Sequence, residues 1–226
     1  MFGAIAPKYD RMNHLLSFNV DRYWRRRTVR AVQPDGTAPI LDVCTGTGDL
    51  ALAFWRYTRG ACPVFGTDFC PEMLAIGRAK GRRLRAEDCV EFIEADAQQL
   101  PFEANMFQVV SVAFGLRNVA DTDQGLAEMT RVCRPGGRVA VLEFSMPRRQ
   151  PMKMLYGFYF RHILPRLGQW LAANEHSAYD YLPASVSQFP EGEALVQRMQ
   201  QAGLHDVRYD PLAFGIATLY VGIKPS

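Results

Sequence analysis

Two periodicities alternate along the chain. Short apolar runs at Ile40-Leu41-Asp42-Val43, Val64–Thr67, Val90–Ile93, Phe107–Ala113 and Val139–Phe144 have the length of buried strands. Between them, apolar residues recur every three or four positions, as on one face of a helix. The spacing predicts a helix from Gly48-Asp49 to about Tyr57, with Leu50, Phe54 and Tyr57 on one side. Pro71 opens a second helix, with Met73, Ile76 and Gly77 facing inward. Leu126, Met129, Thr130 and Cys133 mark a third, broken by Pro135-Gly136-Gly137, and Glu191 to Ala202 a fourth. His205–Tyr209 and Ile216–Ile223 read as a closing pair of strands. Strands alternating with helices predict an α/β fold, a mostly parallel sheet with helices on both faces. Phe107–Ala113, almost continuously apolar, belongs at its centre.

Two stretches depart from this rhythm. Residues 1–34 read as an irregular helical segment, with Trp24, Thr28, Ala31 and Val32 on one face and a stop at Pro34-Asp35-Gly36. Residues 147–189 are rich in aromatics and methionine and read as an inserted helical cap. The 226 residues suit one domain with a sizeable core.

Composition narrows the function classes. No apolar run approaches the roughly 18 residues of a membrane span, and Pro7, Lys8 and Asp10 interrupt any leader-like pattern. A cytoplasmic protein is expected, with contact at a membrane surface left open. The net charge of +3 is too small to argue for nucleic acid. The basic residues cluster, however, at Arg22, Arg25, Arg26, Arg27 and Arg30. That stretch fits either a solvated helix face or a patch for anionic lipid headgroups. Five cysteines without a C-x-x-C spacing argue against a disulfide framework or structural zinc. His162 and His176 have no metal-ligand spacing, so no metal is expected.

The candidate chemistry begins at Leu41-Asp42-Val43-Cys44-Thr45-Gly46-Thr47-Gly48-Asp49. Gly46 and Gly48 allow a ligand to lie against the backbone at a strand's carboxyl end, where open α/β sheets bind ligands. Asp68, at the end of the next strand, is placed to accept hydrogen bonds from both ribose hydroxyls of a nucleoside. Asp96 follows the third strand and can receive an adenine amino group, helped by the Ala97 backbone. Gly46-x-Gly48-x-x-Ala51 also fits a loose nicotinamide-dinucleotide fingerprint. Asp42 before the loop, Asp96, and Arg131-Val132-Cys133-Arg134-Pro135-Gly136-Gly137 leading into a strand together resemble the motif series of class I methyltransferases. That resemblance implies a Rossmann-like, seven-stranded sheet and S-adenosyl-L-methionine as cofactor, held by Asp42, Gly46, Thr47, Gly48, Asp68, Asp96 and Ala97. The bland reading of Asp42, compatible with the first, is a brace for the loop.

Three further blocks narrow the family. Tyr9-Asp10-Arg11-Met12-Asn13-His14-Leu15-Leu16-Ser17 with Trp24, Phe114-Gly115-Leu116-Arg117-Asn118, and Arg131 through Glu143-Phe144-Ser145 resemble the ubiquinone/menaquinone biosynthesis C-methyltransferases. Asp21 stands where the first block usually has His, and Thr45 replaces a small residue in the glycine loop. The resemblance implies methylation of a ring carbon of a prenylated quinol, with demethylmenaquinol favoured over a benzoquinol. It makes Arg117, Asn118 and Tyr9 the catalytic candidates. A quinolate is a far better carbon nucleophile than the neutral quinol, whose hydroxyl titrates near 10 as for Tyr. Arg117 would stabilise the quinolate, Asn118 would orient the hydroxyl, and Tyr9 would add a hydrogen bond. Glu143 either faces the site or braces a loop. The cap would give the prenyl tail an apolar exit, its basic residues would meet headgroups, and a homodimer through this surface is a further use. Another small-molecule methyltransferase and a non-catalytic cofactor-binding scaffold subunit are the competing readings.

Overall fold

The computed structural model describes residues 17, 19–147, 149–158 and 185–226. One seven-stranded sheet organises them. In chain order the elements are α1 (Val20–Val32), β1 (Ile40–Val43), α2 (Asp49–Thr58), β2 (Val64–Asp68), α3 (Pro71–Leu84) and β3 (Val90–Glu94). There follow β4 (Phe107–Ala113), a 3-10 turn at Leu116–Asn118, α4 (Thr122–Val132) and β5 (Cys133–Phe144). The chain closes with α5 (Met152–Phe158), α6 (Glu193–Gln201), β6 (His205–Leu212) and β7 (Ala217–Ile223). The strand order is β3-β2-β1-β4-β5-β7-β6. The first five strands run parallel, and β7 is antiparallel to both of its neighbours.

The period-two alternation of the central strands sorts two cores onto the two faces. Ile40, Val109, Ala140 and Leu142 join Trp24, Val32, Leu50, Phe54 and Leu74 on the face covered by α1, α2 and α3. Leu41, Val43, Val110, Val112 and Val141 join Leu126, Met129, Leu195 and Met199 under α4 and α6. Leu126, Met129, Leu195, Val110 and Val141 are fully buried, as the central apolar runs predict.

Several element-level expectations shift. Tyr57 is 47% exposed, so Leu50, Ala51, Leu52 and Phe54 supply the inner face of α2. Leu74 is buried on α3 beside Met73 and Gly77, while Ile76 is only partly covered. Ala31 faces out, and Val29 joins Trp24, Thr28 and Val32 inside. Cys133 is not the last residue of a helix. It opens β5 opposite Phe107, and the ladder then slips so that Arg138 faces Val109. Pro135-Gly136-Gly137 therefore bulges a strand rather than separating two elements, as proline and glycine do where a ladder is interrupted. Of the expected cap, α5 and the turn at 185–188 are described, and residues 159–184 lie outside the described residues. Among the described residues no helix is long and apolar enough to cross a membrane.

Candidate active site

Strand order reverses between β1 and β4, and this switch point is where open α/β sheets bind ligands at their carboxyl ends. The loop after β1 carries the glycines, and the loop after β4 carries Phe114 to Asn118. The two loops touch. A Cβ on Gly115 would collide with the Cβ of Cys44, so only glycine allows this approach.

Each turn of the β1 loop has a physical reason. Gly46 and Gly48 both have positive φ, at 57° and 80°. A Cβ on Gly46 would meet nothing within 4 Å, so the loop there borders open space. A Cβ on Gly48 would lie 2.5 Å from the Phe92 ring, which also sits against Gly66 and Gly77. Asp42 is 1% exposed and does not border that space. Its carboxylate accepts from the Thr45 hydroxyl at 2.6 Å and the Ser111 hydroxyl at 2.9 Å. Ser111 is its register partner on β4, so sheet pairing itself places that hydroxyl. The structure thus uses Asp42 as a brace between β1, its loop and β4, and the unusual Thr45 supplies one of the two braces. Burial pushes the Asp42 carboxyl up to about 6, against the lowering effect of both hydroxyls.

Asp68 ends β2 with a partly exposed carboxylate that accepts from the Gly46 N–H at 2.8 Å and the Cys70 N–H at 3.0 Å. Burial raises its pKa too. Asp96 lies exposed after β3, its carboxylate accepting from the backbone and side chain of Gln98. Ala97 is 8% exposed beneath it. Thr47 is buried and its hydroxyl accepts from Lys80 Nζ at 2.9 Å. Lys80 also donates to Asp49 at 2.7 Å. Local patterning gave no sign of Lys80, which reaches the loop from the third turn of α3.

α1 is tied to the same loop. Asp21 is 3% exposed, accepts from the Ser17 hydroxyl at 2.7 Å and pairs with Arg25. Arg25 reaches Asp49 at 3.6 Å. The arginine cluster therefore divides: Arg25 turns inward, whereas Arg22, Arg26, Arg27 and Arg30 are exposed. Trp24 stacks against Phe114 and Phe144, with ring centroids 5.6 and 6.1 Å away. Phe114 and Phe144 lie 4.4 Å from each other. This aromatic trio joins α1, the β4 loop and the end of β5. Tyr156 of α5 and Val186 pack on Phe144 and Met146, so the described part of the cap rests beside the trio.

Arg117 is folded inward rather than standing free. Nη1 donates to Glu143 Oε2 at 2.9 Å and to the Phe114 carbonyl, and the guanidinium lies over the Phe144 ring. Asn118, next to it, is exposed. Tyr9 lies outside the described residues.

The residues fit S-adenosyl-L-methionine. That molecule combines a cationic sulfonium and ammonium with a nucleoside, and Asp42, Asp68, Asp96 and Glu143 all lie close enough to Cys44 to raise its thiol pKa electrostatically, adding to burial. A negative field at the switch point, a glycine loop bordering open space and a carboxylate at the end of β2 meet the three parts of the molecule.

A model of the ubiE/COQ5 methyltransferase family matches residues 1–224. The chain belongs to that family. The demethylmenaquinone methyltransferase of Thermus thermophilus is 48% identical over 225 residues, covering the whole of both chains. The ubiquinone/menaquinone biosynthesis C-methyltransferase UbiE of Geobacter sp. is 44% identical, over 99% of this chain and 94% of the relative. A SAM-dependent methyltransferase from Aquifex aeolicus shares the fold, with a TM-score of 0.65, 15% identity and 88% of each chain covered. The enzyme is thus an S-adenosyl-L-methionine-dependent methyltransferase, as its motif series implies.

Proposed function

We propose that this enzyme methylates a ring carbon of a prenylated quinol, with demethylmenaquinol as its substrate. The observation that carries the reading is the full-length match to the Thermus relative named demethylmenaquinone methyltransferase, joined to a donor-bearing loop at Arg117 beside the cofactor loop.

Asp68 would take the ribose hydroxyls, Asp96 and Ala97 the adenine, and Gly46, Thr47 and Gly48 would line the methionine end. Asp42 supports this set from behind by fixing Thr45 and β4. Bound cofactor supplies an electrophilic methyl group. The protein's own residues must place the acceptor carbon in line with it, at about 3–3.5 Å. Arg117 donates to the acceptor oxygen and favours its ionised form, which raises electron density at the neighbouring ring carbon. An arginine stays charged throughout, so it orients and stabilises rather than accepting a proton. Asn118 holds the hydroxyl, and Tyr9 adds a donor from the amino-terminal segment. The net reaction exchanges a ring hydrogen for methyl and releases a proton. The aromatic trio and α5 would line the way for the tail. Contact with anionic lipid through the exposed arginines of α1 would bring the enzyme to a membrane-dissolved substrate.

The test is methyl transfer from labelled S-adenosyl-L-methionine to reduced demethylmenaquinol and to the matching benzoquinol in parallel. Product from the first alone is expected. Product from both would mean that the pocket reads hydroxyl and tail but not the second ring. Product from neither, with cofactor bound, would overturn the reading.

A further inference from the structure

Glu143 is the next-to-last residue of β5 and its side chain is 2% exposed. Its carboxylate accepts three hydrogen bonds. Oε1 accepts from the Arg117 backbone N–H at 3.3 Å, and Oε2 accepts from Arg117 Nη1 at 2.9 Å and from the Phe144 N–H at 3.2 Å. Two of these three donors belong to one residue on the neighbouring loop. Backbone and side chain of Arg117 are therefore gripped by the same carboxylate. Phe114 fixes Nη1 from a second side through its carbonyl, and the Phe144 ring supports the guanidinium face at 5.4 Å from its centroid.

Three N–H donors are left over among the described residues, one on Nε and two on Nη2. Arg117 Nε is buried and has no hydrogen-bond partner among the described residues. A buried N–H without an acceptor costs free energy, and native structures rarely keep one without a use. A side chain held on Nη1, with Nε and Nη2 unserved and 9% of its surface exposed, keeps donors for an acceptor that comes from outside the protein.

We propose that Glu143 is the positioning residue for Arg117 in methyl transfer. It fixes the guanidinium through Nη1 and the backbone so that the remaining N–H donors are directed at the acceptor's oxygen. The proposal rests on the assignment of Arg117 given above. Glu143 itself is too enclosed to touch substrate and acts through Arg117. Arg117 works on the acceptor oxygen through a directed hydrogen bond. A free arginine could hold that direction only by losing the rotamer entropy of a long side chain at each turnover. The Glu143 grip removes that loss in advance.

A double-mutant cycle on turnover decides the matter. Glu143→Gln keeps the shape and an amide oxygen but gives up the charge and one acceptor. It should lower kcat about 10²-fold, the scale of a misplacement near 1 Å, while cofactor affinity and KM for the quinol change little. A purely structural role would move cofactor affinity and KM together with turnover, whereas a lower melting temperature is expected under either role. Arg117→Met alone should lower kcat at least as far, and adding Glu143→Gln to it should lower kcat no further. An equal extra loss in both backgrounds would overturn the role of Glu143 and leave Arg117 in place. Near-normal turnover of Arg117→Met would remove Arg117 instead, and near-normal turnover of Glu143→Gln would remove Glu143 alone. Should Glu143→Gln fail to fold, Glu143→Asp carries the same cycle. It retains the charge and withdraws the carboxylate by one methylene, and is read by the same outcomes.

Discussion

At the scale of single residues, Asp42 and Gly48 govern the glycine loop after β1. Asp42 holds its proton to about pH 6 because burial outweighs the hydroxyls that favour its charge. The folded state therefore has its full advantage from this group below about pH 4 and loses it as pH rises to 6. From the shift, the cost of ionising it is of the order of 3 kcal/mol. Melting temperature followed from pH 4 to 7 should contain a falling component that Asp42→Asn removes. Cofactor binding runs the other way, since its cationic groups favour the ionised carboxylate. Affinity measured by calorimetry should rise across the same window, and Asp42→Asn should flatten the rise, leaving the share that Asp68 contributes. Gly48→Ala meets two obstacles, a φ of 80° and the Phe92 ring at 2.5 Å. A loss of about 1–3 kcal/mol in urea denaturation is expected, with cofactor binding weakened because the loop must move.

Among elements, α1 is the one whose placement depends most on charge. Its apolar side packs through Trp24, Val29 and Val32. The line from Ser17 through Asp21 and Arg25 to Asp49, and from Lys80 to Thr47, ties it to the loop that α2 and α3 frame. Asp21, which departs from the family's usual His, is thus a buried anchor for an inward-facing arginine. Asp21→Asn should destabilise the fold by about 1.5–3 kcal/mol, the range for hydrogen bonds to charged groups, as read by urea midpoint at constant slope. Restored stability in an Asp21→His variant would show that either residue serves as anchor. Unchanged stability in both would mean that packing alone holds α1.

For the whole molecule, the sheet brings together at its carboxyl end loops that are far apart in the chain. Residues 42–49, 68, 96–97 and 114–118 meet because β1 lies between β2 and β4. Cofactor binding should then stabilise the molecule as a unit. At a ligand concentration 100 times Kd the gain is about 2.7 kcal/mol, which is roughly 5–10 °C in Tm for a chain of this size. S-adenosyl-L-methionine should produce that shift and a nicotinamide dinucleotide should not. The reverse result would revive the dinucleotide reading of Gly46-x-Gly48.

Hydrophobic period, turn residues and strand-end chemistry are local properties. The alternation of elements, the β1 loop, Asp68 at the end of β2 and the span of β4 were therefore legible in the sequence. The motif blocks also carried the family. Where the sequence misled, a longer-range force had decided. Pro135-Gly136-Gly137 reads as a break between elements, yet pairing with β4 on both sides of it carries one bulged strand through it. Tyr57 has helical spacing with Leu50 and Phe54 but lies next to the last residue of α2 and is 47% exposed. The partners of the site's charges lay furthest from local patterning. Arg117 meets Glu143 across 26 positions, Lys80 meets Thr47 across 33, and Asp42 meets Ser111 across 69. Residue type and spacing state which charges a chain owns. Only the order of strands in the sheet determines which of them must share a space that excludes water, and so which are neutralised, raised in pKa or left with a donor to offer.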